Sequence, residues 1–207
     1  CLAIVSQAQA FIIRSFDADI KLDKTGAARV SETIVAEFNE ARHGIYRVIP
    51  IALDNGKGAT RSIFISDIDC GSDESKITTS SGNIRIRLGS ADVLLGPRTI
   101  HTYQINYTVR NAINWFSHDE WQPFSELYWN VTGNEWETEM ERQKFTIHFP
   151  PVSKATDVRA RLFVGAYGSR ENQTLTQAGK SQSDESLGTT ATLTKDSFTV
   201  QREAPLA

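Results

Sequence analysis

The chain has few of the residues that cross-link small proteins or bind metals. Among its 207 residues there are 2 cysteines, 1 methionine and 4 histidines. Cys1 and Cys70 can form at most one bridge, which excludes a disulfide-rich scaffold, and Cys70 at the end of an apolar run is predicted to be a buried, inert thiol. The histidines are far apart in sequence and form no paired zinc-binding motif. The sequence therefore predicts neither a metal site nor a cofactor.

The chain also has no excess of positive charge. The formal net charge is −3, and the chain contains no run of lysine or arginine. This composition excludes nucleic acid as an expected partner and gives no support to a polybasic contact with a membrane. No apolar run reaches the length of a membrane span, so if the protein is attached to a membrane, the spanning segments lie outside this chain.

The first ten residues resemble the end of a signal peptide. Residues 2–5 are apolar, and Ala8-Gln9-Ala10 places small residues where signal peptidase requires them. We therefore predict that residues 1–10 are a signal-peptide remnant and that the mature protein begins at Phe11, in an extracytoplasmic compartment. Two alternatives stay open, an ordinary buried strand and a lipoprotein with a lipidated Cys1. Lipidation fits less well, because a flexible polar tether is expected after such a cysteine.

Apolar residues recur with the period of two that is typical of β-strands. Phe16, Ala18 and Ile20 alternate with polar residues, turn residues follow at 23–26, and a second alternating run predicts a hairpin. Further strands are predicted near 45–53, 61–68, 83–88, 103–109, 145–149, 158–164, 189–193 and 198–201, and the polar stretch 177–186 is predicted to be a loop. We predict an all-β, antiparallel β-sandwich with little helix, immunoglobulin-like in general architecture, forming a single domain over 11–207.

Three ordered blocks resemble one protein family. They are Gly44-Ile45-Tyr46-Arg47-Val48-Ile49-Pro50 after His43, Tyr103-Gln104-Ile105-Asn106-Tyr107 after Gly96, and Leu127-Tyr128-Trp129-Asn130-Val131-Thr132-Gly133 with Trp136. Together they resemble the signature of bacterial predicted membrane proteins catalogued as domain of unknown function 2207. The resemblance implies a signal peptide, an extracytoplasmic β domain, and then transmembrane helices with a cytoplasmic tail. That family has no established activity, so the resemblance implies location more than function.

The first block suggests a chemical role for each of its residues. Gly44 permits a turn, Tyr46 and Ile49 are predicted to enter a core, and Pro50 indicates an edge strand or a bulge. Arg47 can bind a carboxylate with both arms of its guanidinium. The structural interpretation of Arg47 is a buried clasp that fixes a loop.

The third block predicts a tight turn between two indoles. Asn130 and Gly133 are turn residues, and Trp129 and Trp136 flank them. We predict that these two tryptophans form a buried pair, packed under a long loop at the open end of the sandwich.

The tryptophans point to the segment where function is expected. All four lie within 115–136, together with several carboxylates and with no lysine or arginine. We predict that Trp115 and Trp121 are exposed and that they form a ligand-binding surface with Glu120, Glu126 and Tyr128. Sugar rings stack on indoles and their hydroxyls donate to carboxylates, and the same acidity would attract a cationic peptide. The expected function is therefore non-enzymatic binding of an envelope glycan or a protein partner.

Two alternatives to this binding function stay open. The tryptophan segment can be a structural plug that packs against the core. It can also belong to a glycoside hydrolase of the cell envelope, with carboxylates of the 119–139 segment, such as Asp119, Glu126 or Glu135, acting as acid and base. Sequence spacing does not show whether two of these carboxylates face each other.

Overall fold

The computed structural model describes residues 9–54, 60–116, 123–133, 135–136, 138–164 and 172–203. Within these ranges the protein is almost entirely β-structure, as predicted, with one 3-10 turn at Ala155–Asp157. The part of the chain described contains no helix with the length and apolar character of a membrane span. The strands are β1 (Phe11–Leu22), β2 (Ala28–Phe38), β3 (Ile45–Pro50), β4 (Ala52–Asp54), β5 (Thr60–Ser62), β6 (Phe64–Asp69), β7 (Ser75–Ser80), β8 (Asn83–Leu88), β9 (Ile100–Arg110), β10 (Ile113–Phe116), β11 (Phe124–Leu127), β12 (Gln143–His148), β13 (Ala160–Phe163), β14 (Asn172–Leu175), β15 (Lys180–Asp184), β16 (Thr189–Leu193) and β17 (Ser197–Arg202).

The first two strands form the predicted hairpin. β2 runs antiparallel to β1, and alternate residues of both strands face the core. Asp23 closes the turn, because its Oδ1 accepts hydrogen bonds from the backbone N–H of Thr25 at 2.7 Å and of Ala27 at 3.1 Å. The turn residues in the sequence and the alternation on either side are therefore sufficient to specify this hairpin.

An eight-stranded sheet with the order β15-β16-β17-β12-β1-β2-β9-β6 is the frame of the molecule. Its neighbouring strands are antiparallel except for β1 and β12, which run parallel with Phe16 opposite Gln143 and Lys21 opposite His148. Asp19 Oδ2 and His148 Nε2, 2.9 Å apart, link this parallel pair through their side chains. The antiparallel prediction therefore holds for this sheet everywhere except at one pair, which joins the first strand to the last third of the chain.

Smaller sheets cover the long sheet and complete a β-sandwich with two hydrophobic cores. The larger core lies between the β3-β8-β7 sheet and strands β1, β2 and β9, where Ile34 and Ile86 are fully buried. The second core lies between the β13–β14 pair and strands β16 and β17, around Leu193. Phe145 and Ile147 of β12 pack against both cores. β12 is therefore the strand at which the two halves of the sandwich meet.

The strand directions define two ends of the molecule. The basal end holds the start of β1 at Phe11, the end of β2 at Phe38 and the start of β9 at Ile100. β17 also runs towards the basal end, because it is antiparallel to β12 and places Arg202 opposite Gln143. The apical end holds the β1–β2 turn and the end of β9, from which the chain continues into β10. β1 therefore starts at the basal end, and β17 runs towards that end and finishes level with Phe16, in the middle of β1.

Strands that lack an alternation of apolar and polar residues were not predicted from the sequence. The predicted loop 177–186 contains β15, which pairs with β16 through hydroxyl contacts of Ser181 with Thr192 at 2.9 Å and of Ser183 with Thr190 at 3.0 Å. β7 is exposed along its whole length, so its sequence also shows no buried apolar face from which a strand could be predicted. The prediction for Pro50 is confirmed, because it ends β3 at the edge of its sheet.

Candidate functional site

Exposed aromatic side chains gather on one short hairpin, β10–β11. Ile113 pairs with Leu127 at its base, and Phe116 pairs with Phe124 further out. The base is anchored, because Ile113 is buried and its side chain lies against the apical β1–β2 turn. Trp115 is next but one along the strand and is 74% exposed. An indole this exposed leaves a large apolar surface in water, which folding alone does not require.

An open groove of about 510 Å³ lies beside this hairpin. The described residues that line this aromatic groove are Trp115, Phe116, Pro123, Phe124, Ser125 and Asp157. The rings of Phe116 and Phe124 stack with their centroids 4.6 Å apart and an interplanar angle of 18°. Asp157 comes from the 3-10 turn after β12, where its Oδ2 accepts the backbone N–H of Lys154 at 3.0 Å. The groove thus combines aromatic faces with a hydroxyl and a carboxylate, which is the composition of many small-ligand sites.

The predicted ligand-binding residues are only partly brought together. Trp115 lines the groove, whereas Glu126 on β11 and Tyr128 directly after it are exposed but are not among the groove's described lining residues. Glu126 lies opposite Asn114, whose side-chain N–H donates to Glu126 Oε2 at 3.3 Å. Trp121 and Glu120 lie outside the described residues. Asp157 was not predicted, because it is remote in sequence from the tryptophan segment.

The stretch without lysine or arginine in the sequence is not free of positive charge in space. Arg61, from β5, donates to Asn111 Oδ1 at 3.2 Å and contacts the side chain of Asn114 and the backbone carbonyl of Ile113. Burial lowers the pKa of the Arg61 guanidinium. Arg61 therefore supports the base of the hairpin from a distance of 53 positions in sequence to Asn114, a contact that no local charge pattern reveals.

A second constellation, the buried clasp, joins the three sequence blocks. The side chains of Arg47 and Glu32 are each 1% exposed. Arg47 Nε donates to Glu32 Oε2 at 2.7 Å, and Arg47 Nη2 donates to Glu32 Oε1 at 2.8 Å. The Tyr107 hydroxyl donates to the same Oε1 at 2.7 Å. Strands β2, β3 and β9 therefore share one buried charge pair, and the predicted clasp at Arg47 is confirmed.

The remaining guanidinium donors of the clasp hold a loop. Arg47 Nη1 donates to the carbonyls of Val48 at 2.9 Å and Thr132 at 3.1 Å, and Nη2 donates to that of Val131 at 3.0 Å. With the bonds to Glu32, all five N–H groups of the guanidinium are used. Burial acts to lower the pKa of Arg47, but the Glu32 carboxylate outweighs it and raises that pKa above the ordinary value. A buried pair of this kind contributes little net stability, so its evident role is to fix the 131–132 backbone.

Residues of the third block complete this loop. Gly133 adopts φ +81°, and a Cβ there would collide with Arg47 Nη1. The backbone N–H of Gly133 donates to Asn130 Oδ1 at 3.0 Å, which confirms the predicted turn. Trp136 Nε1 donates to the Thr132 carbonyl at 2.6 Å, and its ring meets Phe16 edge-on. Trp129 and Trp136 are half-buried against the larger core, so they are part of the loop's anchor.

The first block contains one incorrect prediction. Ile45, Arg47 and Ile49 of β3 face the core, which leaves Tyr46 on the other side of the strand and 46% exposed, under the guanidinium of Arg85 at 3.9 Å from the ring centroid. The core position expected for Tyr46 is taken by Arg47, since side chains alternate along a strand. Ile49 is buried as predicted.

Gly44 has the role expected of it. It has φ +133°, and a Cβ there would collide with the Leu88 carbonyl oxygen. Only glycine combines this backbone conformation with so close an approach of another chain. Gly44 therefore allows the backbone to turn into β3 beside the end of β8.

The carboxylate partner of Arg47 was missed, although the sequence contains a signal for it. Glu32 lies in the same alternation as Val30 and Ile34, so it occupies a core position of β2. A charged residue within the apolar phase of a strand requires a buried partner. The position of Glu32 in the apolar alternation, together with the ability of Arg47 to bind a carboxylate through two N–H groups, could have identified the Glu32–Arg47 pair.

Each histidine in the described part of the chain contacts a carboxylate or a carbonyl oxygen and not another histidine. His101 Nε2 lies 2.7 Å from Asp73 Oδ1, and His43 Nδ1 lies 2.9 Å from the Val93 carbonyl. In the part of the chain that the structure covers, no three His, Cys, Asp or Glu side chains form a group able to hold a metal ion.

Comparison with known solved structures gives only weak similarities. An M1 zinc metallopeptidase from Deinococcus radiodurans is 10% identical with a TM-score of 0.38, over 93% of this chain and 42% of that one. A two-domain M1 zinc metallopeptidase mutant bound to L-tryptophan is 11% identical with a TM-score of 0.40, over 93% and 43%. Similarity at this level carries no argument about function.

Comparison of sequences gives a family. A curated relative, the uncharacterized protein YciQ of Escherichia coli (strain K12), is 27% identical over 162 residues, which make up 75% of this chain and 25% of that protein. The chain therefore covers about a quarter of that relative's length. The sequence profile described as "Predicted membrane protein (DUF2207) N-terminal domain" matches residues 12–199, which include the clasp and the aromatic groove. The chain belongs to this family of predicted membrane proteins.

Proposed function

We propose that this domain binds a glycan in the aromatic groove and has no catalytic role. The observation that carries the proposal is the contrast within β10, where Ile113 is buried and Trp115 is 74% exposed. A hairpin anchored at its base and apolar further out presents an aromatic surface to a ligand. Sugar rings place their C–H faces on indole and phenyl faces, and Trp115, Phe116 and Phe124 offer such faces at the groove.

The polar groups of the groove complement a sugar. Ser125 can donate to or accept from a sugar hydroxyl, and the carboxylate of Asp157 accepts only. Among the lining residues that the structure describes, Asp157 is the one carboxylate. Glycoside hydrolysis uses two facing carboxylates about 5–10 Å apart. In this proposal Asp157 accepts a hydrogen bond from a sugar hydroxyl, while Asp119 of the alternative hydrolase lies outside the described residues.

The location that we propose for this function is extracytoplasmic. The support is the apolar stretch before Ala8-Gln9-Ala10, which fits a signal peptidase site. A signal-processed domain of a membrane protein would meet the glycans of the cell envelope. N-terminal sequencing of the protein from its native host is expected to return Phe11 as the first residue. A lipid-modified Cys1, or an uncleaved upstream segment, would contradict this location.

The test of glycan binding is a titration with defined oligosaccharides. Tetramers of β-1,4-linked N-acetylglucosamine and of β-1,4-linked glucose are added while tryptophan fluorescence and heat are recorded. We expect saturable binding by the parent chain and none by Trp115→Ala, because the indole supplies the stacking surface. Asp157→Asn should weaken binding about tenfold, as expected for loss of one charge-assisted hydrogen bond, while the amide oxygen can still cap the Lys154 N–H.

Tyr46→Ala is the matched control for the Trp115 substitution. Tyr46 is also an exposed aromatic residue, but it lies on β3 in the other sheet. This variant should bind as the parent chain does. Binding retained by Trp115→Ala, or lost equally in Tyr46→Ala, would contradict the assignment of the groove. Release of reducing sugar during the titration would instead favour the hydrolase.

A further inference from the structure

The basal end carries three exposed aliphatic side chains. Val93 and Leu94 in the loop between β8 and β9 are 55% and 57% exposed, and Ile100 at the start of β9 is 61% exposed. We call these residues the basal aliphatic patch. Unlike the aromatic groove, it contains no ring and no hydrogen-bonding side chain. Such a surface suits an apolar partner without directional groups, and it does not suit a sugar.

The loop that carries this patch is held firmly to the sheet. Arg42 and Leu95 exchange two backbone hydrogen bonds, at 3.0 and 2.8 Å, and the Val93 carbonyl lies 2.9 Å from His43 Nδ1. The backbone N–H of Arg98 donates to the Phe38 carbonyl at 2.6 Å. Val93 and Leu94 are therefore presented on a fixed backbone at the end of β2.

The chain direction indicates what this end faces. Phe11, the first residue of β1, pairs with Phe38 at the end of β2, so β1 begins at this end. β17 runs towards the same side. The matching profile is that of the N-terminal domain of a predicted membrane protein, and the chain covers 25% of its curated relative. A membrane-embedded part that follows β17 would draw the basal end, and not the apical end, to the bilayer.

We propose that the basal aliphatic patch rests on the surface of the lipid bilayer in which the rest of the protein is embedded. Val93, Leu94 and Ile100 enter the interfacial region, where aliphatic side chains leave water. Arg42 and Arg98 belong to the same end, but Glu40 and Asp92 balance them. Contact therefore depends on apolar burial together with tethering, and only weakly on anionic lipid. This arrangement holds the aromatic groove at the apical end, directed away from the membrane.

The test attaches the chain to vesicles in the proposed orientation. A histidine tag placed after Ala207 tethers the protein to phosphatidylcholine vesicles that contain a nickel-chelating lipid and a minor fraction of phosphatidylglycerol. In a Cys1→Ser background, an environment-sensitive fluorophore is placed at Asp92→Cys beside the patch, or at Ser125→Cys in the groove as the matched control. We expect a blue shift and quenching by a headgroup quencher for the label at position 92, and neither for the label at position 125.

A second variant separates apolar contact from mere proximity. Val93→Ser combined with Leu94→Ser should reduce the quenchable fraction at position 92 about fivefold or more, because the apolar transfer is lost. Both residues are exposed, so the urea midpoint should be unchanged. An unshifted label at position 92, equal shifts at both positions, or full quenching in the double-serine variant would overturn the proposal. A label already buried without vesicles would overturn it too, in favour of a second copy if the sedimenting mass doubles and of another segment of this chain if it does not.

Discussion

The β10–β11 hairpin is followed in sequence by the loop that contains Val131, Thr132 and Trp136. The two regions differ in how far their tryptophans are exposed to solvent. Both are rich in aromatic residues, and both lie in the stretch that lacks lysine and arginine. In the hairpin Trp115 projects into solvent, whereas Trp136 of the loop bonds to the Thr132 carbonyl and packs on Phe16. Composition therefore does not distinguish a contact surface from an anchor.

The difference between the two regions lies in what distant strands supply. The loop receives Arg47 from β3, which is itself held by Glu32 from β2. In the described part of the hairpin, Arg61 contacts the base, near Asn114. Arg47 satisfies the carbonyls of Val131 and Thr132 and anchors that loop, whereas Trp115 lies beyond the base that Arg61 holds and is exposed.

Removing the carboxylate of the clasp should have the largest effect on stability. Glu32→Ala leaves the Arg47 guanidinium buried without its counter-charge and should lower the free energy of unfolding by about 3–5 kcal/mol. Urea unfolding of the purified chain measures this loss. The double variant Glu32→Met with Arg47→Met removes both charges and should be more stable than Glu32→Ala alone. A double variant as unstable as the sum of its single variants would show that the clasp does not act as a pair.

The next effect tests how closely the loop fits the clasp. Gly133 and Gly179 have nearly the same backbone conformation, with φ of +81° and +79°, but only Gly133 lies against Arg47. Gly133→Ala should cost about 2 kcal/mol more than Gly179→Ala, because backbone strain is common to both and the collision is not. Thermal unfolding of the two variants side by side measures the difference. Equal melting temperatures would mean that the loop moves away from Arg47 at no cost.

Two tyrosines of β9 allow the stability contribution of a hydroxyl inside the clasp to be compared with that of a hydroxyl outside it. Tyr107 donates to Glu32, while the buried Tyr103 hydroxyl has no hydrogen-bond partner among the residues described. Tyr107→Phe should lose about 1.5 kcal/mol, as a hydrogen bond to a charged group does, and Tyr103→Phe should be neutral within about 0.5 kcal/mol or stabilising. The urea midpoints of the two variants measure these stability changes. Two equal losses would weaken the distinction between clasp and core.

The smallest effect is expected in the hairpin. Trp115→Ala should change the free energy of unfolding by less than about 0.5 kcal/mol, since an exposed side chain leaves no cavity. Trp136→Phe, the counterpart in the loop, should cost about 1 kcal/mol through the lost hydrogen bond to Thr132. Differential scanning calorimetry resolves both. If Trp115→Ala proves the more damaging, the hairpin is a structural plug.

The sequence predicts the fold wherever an apolar alternation meets a turn, as in β1 and β2 around Asp23. It does not predict β15, because serine and threonine pair through hydroxyls and show no apolar phase. The parallel pairing of β1 with β12 was also missed, since a short-range pattern contains no information about which distant strand lies alongside.

The candidate site was predictable only in part. Clustering identified the tryptophan segment, and the structure places Trp115 in the groove. Asp157 and Arg61 could not be predicted, because the fold brings them from other strands and turns. The first block predicts a core position for Tyr46, whereas the alternation of β3 places Arg47 in the core and Tyr46 on the opposite face.

The parallel pairing of β1 with β12 sets the order in which the molecule can be assembled. β1 is made first, yet its second neighbour comes from residues 143–148, and Arg14 bonds to Glu141, 127 positions later. Closing so large a loop carries a high entropic cost before any contact repays it, which makes such folds slow to form. The edge of β1 that faces β12 therefore stays open until residues 143–148 have been made, and β17 can pair with β12 only after that.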